Sequence, residues 1–331
     1  MPDAGLPTVA LLATGGTIAG AQTGAASGAY RAGALPAAEL LAAVPGVAAL
    51  ARLQPEQVAN VGSQNISLDI WSRLAGRVAE LCADPAVDGI VITHGTDTLE
   101  ETAYFLSLVL PADKPVVLVG AMRPATALSA DGPANLFHAV ALAADPQAAG
   151  RGPLVLMNDE IHYARHVQKM SAGGVAAFAS PNGPRAGAMR AGRAVFTARP
   201  ETPAQLRFVP PPAGAWPVVD IVHACAGLDG VLVDFMAARA RGIVLAGVGD
   251  GNATDAALQA LARAAARGVA VVRATRTGSG WVGRNVEVDD DAHGFIAAGP
   301  LSPQKARVLL LLALAAAPGP ADPAALQPLF A

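Results

Sequence analysis

Two hydroxyl-bearing turns, one of them also carrying a carboxylate, are the parts of this 331-residue chain whose residue types and spacing suit chemistry. In GIVITHGTDTLEETAYFL, residues 89–106, Thr96 and Asp97 follow closely on an apolar run rich in β-branched residues. That pattern predicts a buried parallel strand, a polar turn and a helix, and open parallel sheets bind ligands beyond the carboxyl ends of their strands. A turn anchored between two rigid elements holds a hydroxyl and a carboxylate in fixed positions. Thr98 and Glu101 have capping-box spacing for the helix that follows. The second turn, TGGTIAG at 14–20, has glycines that let backbone amides face a ligand closely. A hydroxyl of ordinary pKa is a poor nucleophile unaided. It needs a base or a relayed proton, and donors for the oxyanion.

The elements that must position these turns read as an alternation. Residues 8–13 predict a strand running into TGGTIAG. A dinucleotide fingerprint needs GxGxxG followed at once by a helix, a P-loop needs GxxxxGK with Ser or Thr, and neither is met. A Gly/Ala/Ser-rich stretch over 21–36 follows instead, with Tyr30 as its one aromatic. Loops of that length without structure of their own are usually lids or disordered, and Tyr30 is alternatively a packing anchor. Residues 58–62 predict a strand whose exit carries Ser63, Gln64 and Asn65 before a helix over 68–81, a placement that helix capping alone would explain. An amphipathic helix to 110, a strand at 116–119, a loop over 120–131, a helix from about 133 to 144 and a strand at 154–157 come next. The alternation predicts a doubly wound sheet with right-handed crossovers.

From residue 158 the periodicity weakens. Asp159, Glu160, His162 and His166 lack HExxH spacing, so they are read against metal binding, with the two histidines on consecutive turns of an exposed helix. Residues 185–199 predict a hairpin. Six prolines within 200–217 mark a linker. Beyond it, strands at 218–223, 243–248 and 269–273 alternate with helices at 228–241 and 253–267. A tight polar loop spans 247–252, and a long loop over 275–291 holds Glu287, Asp289, Asp290 and Asp291, a run that would ordinarily be a solvated face. The apolar helix over 304–315 is too short to span a membrane. The expected fold class is α/β, with a larger, mostly parallel-sheet N-terminal domain over 1–199, a linker over 200–217 and a smaller C-terminal α/β domain over 218–331.

Composition narrows the partners. Hydrophobic residues make up 53% and charged ones 15%, enough for full cores in about two domains. With 23 Lys plus Arg against 26 Asp plus Glu and no basic stripe interleaved with aromatics, nucleic acid is not an expected partner, and neither is a membrane. Lysines are scarce, at 114, 169 and 305. Cys82 and Cys225 lack metal-ligand or CxxC spacing and are expected to be buried packing residues. Residues 1–7 have no basic n-region, so no secretory signal is read there, although a chain stripped of a leader would look the same apart from Met1.

TGGTIAG at 14–20, GSQN at 62–65, THGTDTLEETAYFL at 93–106, MND at 157–159, SPNGP at 180–184, GVGDGN at 247–252 and SPQKARV at 302–308 resemble, in family order and nearly end to end, the bacterial L-asparaginase family, particularly its type II branch and the related glutaminase-asparaginases. The resemblance implies a left-handed crossover in the larger domain, against the usual rule. It also implies a homotetramer built as a dimer of intimate dimers, each site completed by the neighbouring subunit. Thr17 matches the family's first threonine, the nucleophile, and Tyr30 the loop tyrosine beside it. Thr96, Asp97 and Lys169 match the group that positions and activates the attacking species. Gly16, Ser63, Gln64, Thr96 and Asp97 resemble the substrate binders, while Asn252 and Glu287 resemble residues donated by the partner subunit.

The implied reaction is hydrolysis of L-asparagine to L-aspartate and ammonia through a threonyl ester, without metal or organic cofactor. L-Glutamine is the alternative substrate, longer by one methylene. A non-catalytic amino-acid binding protein on the same fold is a further alternative. It would account for Ser63, Gln64 and Asp97 but gives no reason for Thr17, Tyr30, Thr96 and Lys169 together. Three departures stand out. Gln168 and Met170 flank Lys169 where the family often has threonines, Asp250 replaces the usual Asn of the GNGN turn, and Cys82 has no partner cysteine near 107–110. The missing cysteine points to the cytoplasm, with the periplasm as the alternative if a leader was removed.

Overall fold

TVALLATG, Thr8–Gly15, is buried at every position and forms β1 near one edge of a large sheet. The computed structural model describes residues 5–22, 30–31, 33, 36–111, 113–199 and 207–330, with the backbone alone at 21, 22, 30 and 31. The chain divides into two units, Met1–Gln205 and Leu206–Ala331.

In the first unit, β1 is followed by the two-residue strands β2 (Ala21–Gln22) and β3 (Tyr30–Arg31), which pair antiparallel, so the stretch read as one loop carries a small ladder of its own. Residues 23–29, 32, 34 and 35 of that stretch lie outside the described residues. Next come α1 (Ala37–Ala42), β4 (Arg52–Val61), α2 (Leu68–Ala83), β5 (Gly89–Thr93), α3 (Leu99–Val109), β6 (Val116–Val119), α4 (Gly132–Ala143) and β7 (Pro153–Met157). The unit continues with β8 (Glu160–Tyr163), β9 (Gln168–Lys169), β10 (Phe178–Ala179), β11 (Arg185–Arg190) and β12 (Arg193–Phe196).

Eight of these strands form one sheet in the order β12-β11-β8-β7-β6-β5-β1-β4. Neighbours from β4 to β7 are parallel, and those from β7 to β12 antiparallel. β5, β6 and β7 are buried throughout, as continuous apolar strands covered on both faces must be. One face packs Val9, Leu11, Val91 and Val117 against Leu40 of α1 and Leu136, Ala139 and Val140 of α4. The alternate side chains point to the opposite face, where α2 and α3 pack on each other and on β4, β5 and β7. α3 is buried on most of its surface, more like a core helix than an amphipathic one.

The chain turns from β7 to β8 through Asn158 and Asp159, both at positive φ (50° and 64°), which matches a two-residue hairpin of type I′. His162 therefore sits on a strand, fully buried, and not on an exposed helix. The hairpin of β11 and β12 turns likewise at Ala191 and Gly192, with φ of 49° and 75°.

The second unit contains β13 (Val219–His223), α5 (Val231–Ala237), β14 (Gly242–Gly247), α6 (Asp255–Ala266), β15 (Ala270–Thr275), α7 (Asp290–His293), β16 (Phe295–Ala297), α8 (Pro303–Ala316) and α9 (Pro323–Leu326). Its four strands are parallel in the order β13-β14-β15-β16. Val233 of α5 and Leu261 of α6 share a core with Ile243, Leu245 and Val271. A Cβ on Gly242 would lie 2.7 Å from Leu310, so α8 packs closely on the sheet. α5 is much shorter than the helix read over 228–241. Gly230 lies under Ala260 of α6, and the Asp229 carboxylate accepts the Val231 N–H, so the helix starts only there. Cys225, expected to be buried, is exposed in the turn after β13, whereas Cys82 is half-buried; both are free thiols. No helix among the described residues is long and apolar enough to cross a membrane.

Candidate active site

β4, β1, β5 and β6 are adjacent parallel strands, so their carboxyl ends lie side by side, and the loops leaving the first three carry Ser63, Thr17 and Thr96. Two glycines bring these loops together. Gly16 has φ 83°, and a Cβ there would sit 2.3 Å from the Gly95 Cα; a Cβ on Gly95 would sit 2.7 Å from Ser63 Oγ. Only backbone without side chains approaches this closely. Thr17 and Thr96 each follow one of these glycines, and although both belong to turns they are 8% and 4% exposed. Thr17 opens a 3₁₀ turn, Thr17–Ala19, in which the Gly20 N–H donates to the Thr17 carbonyl.

Ser63 is the hinge between two of the loops. Its hydroxyl oxygen accepts the Asp97 N–H at 3.1 Å, and its carbonyl accepts the Thr98 hydroxyl at 2.8 Å. Thr98 therefore makes no side-chain cap on α3, contrary to the capping-box spacing, because its hydroxyl is engaged by Ser63. Nor do residues 63–65 cap α2. They form a 3₁₀ turn, Ser63–Asn65, and Ser67 takes the cap by accepting the Ile70 N–H. Gln64 is exposed and folds back over Gly62.

Lys169 reaches the turn from β9. Its Nζ donates to Asp97 Oδ1 at 2.6 Å and to Thr96 Oγ1 at 2.9 Å, which joins the three residues in one cluster. The lysine side chain is 16% exposed and the Asp97 side chain 61%, so the carboxylate faces solvent. The Lys169 N–H donates to Glu100 Oε2 at 2.5 Å, which ties β9 to the first turn of α3. Glu100 is buried and was not singled out in the sequence. Its signal was helical spacing, since Ala103 and Tyr104, three and four residues on, are buried too. Tyr30 lies on β3 opposite Gln22, and its side chain is outside the described part of the structure.

Behind the turn is a buried hydrogen-bonded chain that the sequence also did not single out. Trp71 Nε1 donates to Thr102 Oγ1 at 2.9 Å. The Thr102 hydroxyl lies 2.9 Å from His94 Nε2, and His94 Nδ1 lies 2.7 Å from the Gly95 carbonyl. Because the carbonyl only accepts, Nδ1 carries the proton, and with the ring neutral Nε2 accepts from the Thr102 hydroxyl. His94 is fully buried, and burial pushes its pKa from 6.5 down to about 4 against the opposing pull of the Gly95 carbonyl.

This has a consequence for stability. As pH falls below 6.5 an unfolded His94 takes up a proton while the folded one stays neutral until about 4, so the unfolded state binds more protons and stability is lost through that window. The contribution at pH 5 relative to pH 7.5 is about 2 kcal/mol. Urea unfolding at these two pH values is expected to show a drop for the wild type that exceeds the drop for His94→Gln by about that amount. Equal drops would mean that His94 is protonated in the folded protein.

The asparaginase N-terminal family model matches residues 8–202, and the glutaminase/asparaginase C-terminal domain model matches residues 218–330. The chain belongs to the asparaginase family. It is 46% identical to the probable periplasmic L-asparaginase of Haemophilus influenzae (strain ATCC 51907 / DSM 11121 / KW20 / Rd), over 94% of this chain and 89% of that protein. It is 44% identical to L-asparaginase 2 of Escherichia coli (strain K12), over 98% and 93%. It is 42% identical to the glutaminase-asparaginase of Pseudomonas fluorescens biotype A, over 93% and 86%.

In this asparaginase, Asn252 and Glu287 lie in the second unit, where the Asn252 amide donates to the Glu287 carboxylate. Asp250 does more than add a charge beside them. Its Oδ1 accepts the Gly283 N–H at 2.9 Å and so joins the 247–252 loop to the loop that carries Glu287. Gln168 pairs with Ala179, and the Met170 N–H donates to the Ala177 carbonyl, so β9 is held by its backbone.

Proposed function

We propose that this asparaginase hydrolyses L-asparagine to L-aspartate and ammonia through an ester on Thr17, with no metal or organic cofactor. The supporting observation is the Gly16–Gly95 contact, which sets the turn of Thr17 beside the cluster of Thr96, Asp97 and Lys169. The Thr17 hydroxyl attacks the side-chain amide carbon, its proton passes to a base, and amides of the glycine-bearing turn receive the oxyanion. Collapse breaks the C–N bond, and the nitrogen takes up that proton and leaves as ammonia. Thr96, held by Lys169, orients a water molecule and relays its proton as the water opens the ester, and Thr17 recovers its hydroxyl. Tyr30, whose side chain lies outside the described residues, is the tyrosine that the family resemblance sets beside the nucleophile. The first domain spans 1–199 and is linked through 200–217 to the second, 218–331.

Gly16, Ser63, Gln64, Thr96 and Asp97 bind the substrate, and the exposed Asp97 carboxylate takes its ammonium group. Asp97→Asn keeps size and removes charge, so the KM for L-asparagine is expected to rise about 10- to 100-fold, the equivalent of a charge-assisted hydrogen bond. An unchanged KM and kcat would count against that role.

Steady-state ammonia release with L-asparagine and L-glutamine tests the reaction. The relative named glutaminase-asparaginase supports L-glutamine as a second substrate to test, and one methylene is worth about 1–3 kcal/mol of discrimination. Binding of either amino acid with no ammonia release would overturn the enzymatic reading.

Asn252 and Glu287 complete the site of a neighbouring copy in a homotetramer built as a dimer of intimate dimers. Mixing inactive Thr17→Ala with inactive Glu287→Ala under conditions of subunit exchange should raise ammonia release above either parent, because one of the two sites in a mixed dimer is then intact. Verified exchange without recovery would exclude a site shared between Thr17 of one copy and Glu287 of the other.

The free thiols Cys82 and Cys225 favour a reducing cytoplasm, while the Haemophilus relative is named as periplasmic. Osmotic-shock fractionation of the native host decides: activity in the released fluid would reverse the assignment.

A further inference from the structure

The Arg273 guanidinium is fully buried at the centre of the second unit's loops. Its Nε and Nη2 donate to the two oxygens of the equally buried Asp290, at 2.6 and 2.8 Å. Its remaining donors reach backbone. Nη1 donates to the carbonyls of Asp250 at 2.8 Å and Gly251 at 3.4 Å, and Nη2 to the carbonyl of Gly283 at 3.1 Å. One planar cation thus holds both loops that present Asn252 and Glu287.

Each loop is folded to meet it. Residues 248–252 close on themselves through paired bonds between the Val248 and Asn252 backbones, at 2.8 Å each. Gly251, at φ 78°, leaves only 3.2 Å between a built Cβ and Arg273 Nη1. In the other loop Asp290 also accepts the Asn285 N–H at 2.8 Å, and Asp289 caps α7 by accepting the Ala292 N–H. Val288 and Asp290 are buried, and Glu287, just before them in the chain, is exposed. The exposed glutamate is therefore set by the buried residues that follow it.

From this geometry we propose that Arg273 and Asp290 are positioning residues for the reaction, holding the Asn252–Glu287 pair as one preformed unit. Taking two opposite charges out of water is unfavourable unless every donor and oxygen is satisfied, and a well-packed apolar pair would fill such a place at no loss of stability. The fork supplies what an apolar pair does not, a fixed angle between two separate loops. The inference rests on Glu287 acting in the asparaginase site.

A double-mutant cycle tests it. Arg273→Lys keeps the charge and loses the fork, whereas truncation would strand Asp290 without a partner. Measured on the purified assembly, with subunit mass and thermal midpoint recorded, Arg273→Lys is expected to lower kcat/KM for L-asparagine about tenfold or more. In the Glu287→Gln background the same change is expected to have less than about a threefold further effect, because there is then little left to position. An equal loss in both backgrounds, or wild-type kcat/KM in Arg273→Lys beside an impaired Glu287→Gln, overturns the positioning role. Wild-type kcat/KM in Glu287→Gln alone removes Glu287 from the site, and the inference with it. If Arg273→Lys does not assemble, Asp250→Ala takes its place in the cycle, since it deletes only the bridge to the Gly283 N–H. The same non-additivity is expected at smaller size, and additivity overturns the proposal.

Discussion

Thr17→Ala is expected to lower turnover at least about a hundredfold while the protein folds and assembles, and Thr96→Ala to do the same. The fold should survive because the backbone, not the hydroxyl, shapes both turns. Gly16 accepts at its carbonyl from Ala19 and Gly33, the Gly20 N–H reaches the Thr17 carbonyl, and Gly95 is pinned between Gly16 and Ser63. Each alanine removes a hydroxyl and a methyl from a site that is nearly closed to solvent, so some loss of stability accompanies the change. That loss is read separately from turnover by unfolding. Acid-quenched reactions analysed by mass spectrometry should place the acyl adduct on the peptide that contains Thr17. An adduct found consistently on Thr96 would exchange the two roles, and near-normal ammonia release from either variant would end the two-threonine mechanism.

Lys169→Met is expected to lower turnover by about 10²–10⁴, the range associated with disrupting a positioned proton transfer, here the relay through Thr96 that Lys169 holds. Methionine keeps an unbranched apolar stem along the path of the lysine, so packing changes little. What disappears is the nitrogen that bridges Thr96 Oγ1 and Asp97 Oδ1. Asp97 is then left beside Thr96 without its cation, and the hydroxyl loses the group that sets its direction. Because the Asp97 carboxylate is largely in water, the broken ion pair should change stability little. Large loss of turnover with a nearly unchanged unfolding midpoint is therefore the expected pair of results. Wild-type turnover across neutral pH would reduce Lys169 to a surface cation.

The sheet and the first contacts of the site were legible because their signals are local. The continuous apolar runs at 89–92, 116–119 and 154–157 are strands buried on both faces, and Thr96 and Asp97 fall at the exit of one of them. Where tertiary contacts compete with local preference, local reading failed. Thr98 has capping-box spacing, yet its hydroxyl is drawn to the Ser63 carbonyl from another loop. His162 has helical spacing to His166, yet the Asn158–Asp159 turn folds its segment back as a strand, because both residues adopt positive φ. Asp290 sits in a run of acids that reads as solvated, and only the fold supplies the arginine from β15 that buries it.

Lys169 is anchored through its main chain. Lys169 is tied down by its N–H to Glu100 and by the strand pairing of β9 with β10, while the Met170 side chain next to it is exposed. An anchor of this kind places no demand on the chemical identity of the neighbouring side chains. The side chains at 168 and 170 thus carry no part of this anchoring, which gives a physical reason why Gln168 and Met170 can stand where the family resemblance implies threonines. The restriction is transferred 69 residues upstream, to the buried carboxylate of Glu100.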